Sequence, residues 1–437
     1  MTASQSSAVT VGARLGDVKL RAYRRLRRGA ASYFNLSPKS GTTAEFSNVQ
    51  IAAEIVVYFA DDVSRLYQIE QWMPILEMLN QRHKVLIICR SQPAFHAVRR
   101  LTSMSVLFLR QLRELNSVMY SNDFKVALYV NNSALNFHPL MFPTLLHVHL
   151  NHGESDKISM ASNQAKAYDQ VFVAGQAAID RYMRNLINFN GANLVQVGRP
   201  QLDVDYPHTV DRSPRPTILY APTWEGDRDE MNYTSLDHYG VQIVRQLLAA
   251  GTYRLVYKPH PRVADLGSST QQAHSAIVAT IKKATTTEPE VRHVVEMDAS
   301  ILSVIQDCDA MVSDVSSVAL DFLYKATDKP LFLTDRHDNR EALLHSAPLA
   351  AGSYVIDSST VDTFPAILAG ALAEDSKRDE RRRIRDYYFG DLQPGQSTER
   401  FLEAVEDAIA LRDDAVSRRD DTEHAAAPPA LGMASAG

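Results

Sequence analysis

The stretch Ala310-Met311-Val312-Ser313-Asp314-Val315-Ser316-Ser317-Val318-Ala319-Leu320-Asp321-Phe322 decides the reading of this chain. Ala310-Met311-Val312 is a short apolar run that predicts a buried strand, and an amphipathic helix is expected from about Val318. Hydroxyls and backbone N–H groups are therefore stacked where a strand hands over to a helix N-terminus. Such a junction suits an anion, because the first N–H groups of a helix are unpaired and its dipole favours negative charge. Upstream, Lys258-Pro259-His260-Pro261 ends another apolar run, Arg254-Leu255-Val256-Tyr257. Two strand ends carrying cation, imidazole and hydroxyls suggest a diphosphate pocket. The plainer alternative is that Ser313 and Ser316 only cap a helix.

Outward from that stretch the pattern repeats. Short aliphatic runs alternate with helical lengths at Thr217–Tyr220, Tyr253–Tyr257, Arg292–Val295, Asp309–Val312, Leu331–Leu333 and Ser353–Ile356. An earlier series has the same form: Glu54–Phe59, Lys84–Cys89, Ser105–Leu109, Lys125–Val130, Leu145–Leu150 and Asp169–Ala174. Continuous apolar strands alternating with helices predict parallel sheets covered on both faces. A proline-bearing stretch around Asp203–Pro216 reads as the linker between the series. The expected architecture is α/β, with two doubly wound Rossmann-type domains facing a cleft where strand C-terminal ends bind ligands. The expected segments are a basic N-terminal piece (1–50), an N-terminal domain (51–205), a C-terminal domain (206–385), a closing motif and helix (386–412) and a disordered tail (413–437).

With 437 residues, two domains are the default. A net charge of −5 gives no general affinity for nucleic acid. The two cysteines, Cys89 and Cys308, lie in or beside apolar segments, which excludes a disulfide framework and fits a reducing cytosol. No signal peptide and no uncharged apolar run near spanning length is expected. Between Arg14 and Arg28 stand seven basic residues and one acid, Asp17, with Leu15, Val18, Ala22 and Leu26 at helical spacing. Such a helix can lie on an anionic membrane surface or serve as a docking arm.

His147-Val148-His149-Leu150-Asn151-His152-Gly153 places two imidazoles on one strand face and a third past the strand end. A zinc or iron site is one reading. For His147 and His149 the core reading is adopted, since Glu154 and Asp156 lie past the turn. His152, where the strand opens, suits a general base. Gly198-Arg199-Pro200-Gln201-Leu202-Asp203 is a tight turn in which Asp203 can cap the segment after it. In Tyr220-Ala221-Pro222-Thr223-Trp224-Glu225-Gly226, Thr223 can donate to a phosphate and Trp224 can wall the site.

Taken in order, these pieces resemble the CDP-glycerol glycerophosphotransferases of teichoic-acid synthesis. The resemblance rests on His152-Gly153 with Lys157, Gly198-Arg199-Pro200 with Asp203, Tyr220-Ala221-Pro222-Thr223-Trp224, Lys258-Pro259-His260-Pro261, and Ser313-Asp314-Val315-Ser316-Ser317 with Asp321. Gly395 with Ser397-Thr398-Glu399-Arg400 is similar to the family's closing motif, and the likeness covers roughly residues 145–405. It implies a GT-B-like fold, with the C-terminal domain holding the donor and the N-terminal one taking the acceptor. It implies transfer of glycerol phosphate from CDP-glycerol, or of a related polyol phosphate from its CDP-alcohol, to a hydroxyl of a membrane-linked cell-wall glycopolymer, releasing CMP. By resemblance His152 is the base and His260, with Lys258, stabilises the diphosphate and the leaving CMP. Ser316, Ser317, Thr223 and Ser397 or Thr398 contact phosphate oxygens, and Gly153, Lys157, Arg199, Asp203, Trp224, Arg262, Ser313, Asp314 and Asp321 complete the substrate-binding set. No cofactor or metal is expected, and the enzyme would work at the inner face of the plasma membrane. Glu225 and Gln201 stand where many members carry Arg. The alternative is a GT-B glycosyltransferase using a nucleotide sugar.

Overall fold

The computed structural model describes residues 49–426, apart from positions 158, 159, 212, 227 and 266. The basic stretch from Arg14 to Arg28 and the last residues of the expected tail lie outside the described residues. The chain divides into two compact units. Of the described residues, the first takes those up to Leu150, Lys166–Val171 and those from Arg400 on; the second takes Asn151–Ala165 and Phe172–Glu399.

The first sheet comprises β1 (Ile55–Phe59), β2 (Val85–Cys89), β3 (Ser105–Phe108), β4 (Val126–Tyr129), β5 (Leu146–His149), β6 (Gln170–Val173) and β7 (Leu194–Gln196), in the order β3-β2-β1-β4-β5-β6-β7. Pairing is parallel from β3 through β6. Helices α1 (Met73–Arg82), α2 (Gln92–Leu101) and α3 (Leu112–Tyr120) make the returns between the early strands. Every residue of β1, β2 and β4 is buried, as expected of parallel strands covered on both faces.

In the second unit α4 (Gln176–Asn185) follows β6. Its sheet comprises β8 (Thr217–Ala221), β9 (Arg254–Tyr257), β10 (Val294–Val295), β11 (Ala310–Ser313), β12 (Leu331–Thr334) and β13 (Tyr354–Ile356), in the order β10-β9-β8-β11-β12-β13. Alternate strand residues feed two separate cores. Leu219, Val256, Met311 and Leu333 pack on one face, and Ile218, Tyr220, Leu255, Val312 and Phe332 on the other. The helices include α5 (Val241–Ala249), α6 (Ser268–Thr287), α7 (Ser317–Lys325), α8 (Arg378–Phe389) and α9 (Gln396–Ala426). The strand order reverses between β8 and β11, and their carboxyl ends are in register, Ala221 beside Ser313. β9 ends level with them, Tyr257 beside Tyr220. Such a reversal opens a crevice for ligands beyond the strand ends.

Two expected boundaries move. The division does not fall at the Asp203–Pro216 stretch, because the turn at Arg199 is bonded to Asp321 of α7 and to Ser397 of α9, all within the second unit. Nor does order end at Asp413, since α9 runs on to Ala426. Within the first unit Arg412 pairs with Asp123 and donates to the Thr144 carbonyl at 2.9 Å, and Asp413 receives Lys125 Nζ at 2.6 Å. Phe401 also packs on Trp72, ring centroids 5.2 Å apart. Both cysteines are buried free thiols. No helix among the described residues is long and apolar enough to cross a membrane.

Candidate active site

The rim beyond β8, β9 and β11 collects most of the residues singled out by sequence. Ser316 is the N-cap residue of α7 in extended conformation, yet its side chain makes no capping bond. Its hydroxyl lies 3.3 Å from that of Ser313, which donates to the Ala221 carbonyl at 3.0 Å. Capping therefore does not account for these serines, and no capping side chain closes the N-terminus of the nine-residue α7. Gly153 lies against it. A Cβ at Gly153 would meet Ser317 Cβ at 3.0 Å and Arg199 Nη2 at 3.5 Å, so a side chain there would force Ser317 to give way.

Lys157 Nζ donates to Thr223 Oγ1 at 2.8 Å and lies 5.8 Å from the Trp224 ring centroid and 5.7 Å from that of Tyr233. Burial pulls its ammonium down to about 8, against the attraction of Asp314. On the next strand end, His260 Nδ1 accepts from the Arg262 amide at 3.1 Å, so the neutral ring carries its proton on Nε2. Burial holds His260 neutral, pulling it down to about 3, and the cations of Lys157, Arg262 and Lys258 add to this. Trp224 is tilted against His260 with centroids 6.4 Å apart, and the Arg262 guanidinium lies 4.0 Å over the indole.

Other expected contact residues prove to hold the rim together. Asp314 is fully buried; it accepts from the Thr223 amide at 2.7 Å and from Thr334 Oγ1 at 2.6 Å, which pins the Thr223 loop to β11 and β12. Arg199 and Asp321 form a buried pair at 3.0 Å, and Arg199 Nη1 donates to the His152 carbonyl at 3.2 Å. Asp203 receives the Thr398 amide at 2.8 Å and its hydroxyl at 3.0 Å, while the Arg199 amide donates to Ser397 Oγ at 3.1 Å. The hydroxyls of Ser397 and Thr398 thus serve the Gly198–Asp203 turn rather than an open phosphate site. Gly198, at φ +80°, leaves no room there for a side chain. Lys258 is buried and its ammonium donates to the Met297 carbonyl at 3.1 Å, so it acts on the rim through its field. Glu225 accepts from the Gly267 amide at 2.8 Å and Thr270 Oγ1 at 3.1 Å, satisfying the start of α6.

The histidines of β5 are core residues. His147 bonds Tyr129 OH at 2.8 Å and the Phe142 carbonyl at 3.1 Å. His149 stacks on Tyr168, centroids 4.9 Å apart, and burial pulls it down to about 4. Among the described residues no group of three or more His, Cys, Asp or Glu side chains has the arrangement of a metal site. Sequence reasoning missed Arg181 and Tyr388, which join Glu154 and Asp156 in a buried network directly behind the His152–Lys157 segment.

The solved structures similar to this chain include the wall teichoic acid polymerase TagF (TM-score 0.53, 12% identity, 94% of this chain and 99% of that one). A TagF variant soaked with CDPG is also similar (TM-score 0.52, 12% identity, 82% and 89%). So is a protein described as a UDP-N-acetylglucosamine 2-epimerase from Listeria monocytogenes (TM-score 0.54, 12% identity, 81% and 96%). At this identity the likenesses show the fold, which is of the GT-B kind. No curated protein matches significantly in sequence. The model of the CDP-glycerol:poly(glycerophosphate) glycerophosphotransferases matches residues 146–407, which contain the whole rim just described. The chain belongs to that family.

Proposed function

We propose that this enzyme moves glycerol phosphate from CDP-glycerol to a hydroxyl of a membrane-linked glycopolymer, with the donor held on the rim of the second sheet. The observation that carries the reading is the convergence of a helix start without a side-chain cap at Ser316, a neutral Nε2–H imidazole at His260 and the Lys157–Thr223 pair on one strand reversal. The acceptor oxygen attacks the phosphorus that bears glycerol. The bond from that phosphorus to the bridging oxygen breaks, and CMP leaves with the electron pair. His152 takes the hydroxyl proton. His260 Nε2–H donates to the diphosphate and the departing phosphate, and the first amides of α7 receive the non-bridging oxygens. Phosphoryl transfer needs positioning and charge stabilisation more than covalent help, and these groups supply both. The basic Arg14–Arg28 stretch would hold the enzyme at anionic headgroups near its acceptor.

The test is CMP release by the full chain from CDP-glycerol, CDP-ribitol and UDP-sugars, with and without a lipid-linked acceptor. Acceptor-dependent CMP from a CDP-alcohol is expected. UDP release from a sugar donor, with every CDP-alcohol silent, would overturn the reading.

A further inference from the structure

The segment from Asn151 to Lys157 carries both His152 and Lys157, yet it has no helix or strand bonding of its own. Asn151 turns it with φ +59°. Side chains must therefore fix its path, and its carboxylates do so. Glu154 and Asp156 point into the protein, where both pair with the buried guanidinium of Arg181 from α4, Asp156 at 3.2 Å. Tyr388 of α8, fully buried, donates its hydroxyl to the other Asp156 oxygen. The two helices meet closely where this occurs: a Cβ at Gly175, just before α4, would stand 2.3 Å from the Tyr388 carbonyl oxygen. At the other end of the segment Arg199 holds the His152 carbonyl while paired with Asp321. Three buried carboxylates (Glu154, Asp156, Asp321) thus meet two guanidiniums (Arg181, Arg199) behind one loop. Burial pushes Asp156 up to about 6 even with Arg181 and Tyr388 pulling it down, so removing either partner pushes it further up and loosens its hold on the loop.

We propose that Arg181, backed by Tyr388, is a positioning residue for the transfer reaction: its fork clamps Glu154 and Asp156 and so sets where Lys157 and His152 stand on the rim. This rests on the donor-binding reading of Lys157. Arg181 touches no substrate; it acts through the loop. Lysine cannot replace it, because a single ammonium lacks the planar fork that spans two carboxylates.

The test is a double-mutant cycle on CDP-glycerol affinity, measured by calorimetry on the full chain with Arg181→Gln, Lys157→Met and the pair. If Arg181 acts by placing Lys157, each single variant loses about tenfold and the double loses little more than Lys157→Met alone, a coupling of the size seen for interacting residues. A multiplicative loss near a hundredfold would make Arg181 a general stabiliser and overturn the proposal. An unchanged affinity for Lys157→Met would instead remove the reading of Lys157, and the proposal with it. Tyr388→Phe, which deletes one hydroxyl and keeps the ion pairs, covers the case in which Arg181→Gln fails to fold. It should weaken donor binding about threefold, with the same non-additivity towards Lys157→Met; unaltered affinity would count against the clamp.

Discussion

The two sheets share a strand order, with a reversal at β1/β4 in one and β8/β11 in the other, but their rims are chemically unlike. In the first unit the rim closes on itself. Asp61 accepts from Asn131 at 2.7 Å, Ser133 at 3.3 Å and Arg65 at 3.4 Å, and Asn131 also donates to Gln68 at 2.9 Å. Two of this unit's helices are capped by their own chain, although α1 is not: Ser91 accepts from Ala94 at the start of α2, and Gln111 and Glu114 form a capping box on α3. In the second unit α7 follows β11, the counterpart of β4, and has no side-chain cap, whereas the short Ala134–Phe137 turn after β4 is capped by Ser133; the rim of the second unit also brings lysine and imidazole. Topology provides the crevice in both cases. Whether it draws a diphosphate depends on whether the helix amides are already satisfied and which charges surround them.

The contrast can be attacked directly. The largest effect is expected at the proposed base: His152→Ala should cut acceptor-dependent CMP release about a thousandfold. Its CDP-glycerol affinity, read by calorimetry, should stay near that of the parent. Loss of donor affinity of the same size would place His152 in binding rather than in proton transfer. Next, Ser316→Asp would give α7 a side-chain cap of the kind that Ser91 gives α2. Thermal unfolding should show a gain of roughly 0.5–1 kcal/mol. Donor affinity should fall at least about tenfold, because the new carboxylate sits where the diphosphate would. A gain in stability with undiminished affinity would break the comparison. The counterpart in the other rim, Asp61→Asn, should leave donor affinity within about twofold, as expected of a surface distant in function.

The smallest effect is a pH dependence. With its pKa lowered to about 8, Lys157 keeps its positive charge below that pH and loses it as pH rises through it. CDP-glycerol affinity should therefore decline from about pH 8 upward, and Lys157→Arg should flatten that limb, since guanidinium stays charged. A decline that persists in the Arg variant would have to come from another group.

Much of this was readable in the sequence because strand cores are local. Runs such as Val85–Cys89 and Leu331–Thr334 are apolar throughout or nearly so, and a parallel strand buried on both faces has no other appearance. The rim was readable because Ser-Asp, Lys-Pro-His-Pro and His-Gly fall where strands stop. Roles within the rim were not. Asp314, Arg199, Asp203 and Ser397 look like ligand contacts in a motif, but their partners are Thr223, Asp321, Thr398 and the Arg199 amide, far away along the chain. Arg181 and Tyr388 are invisible for the same reason. Each is an ordinary helix residue until folding brings it to Asp156, and for Tyr388 that partner lies 232 positions away. The division of units at Leu150 and Asn151, inside a motif, also has no signature in composition.

The most direct measurement is a crystal structure of the full chain with CDP-glycerol bound. The account predicts diphosphate density on the first amides of α7, at Ser317 and Val318, within hydrogen-bond reach of His260 Nε2 and Lys157 Nζ. Diphosphate density at the first unit's rim, among Asp61, Asn131 and Ser133, with α7 left bare, would contradict it.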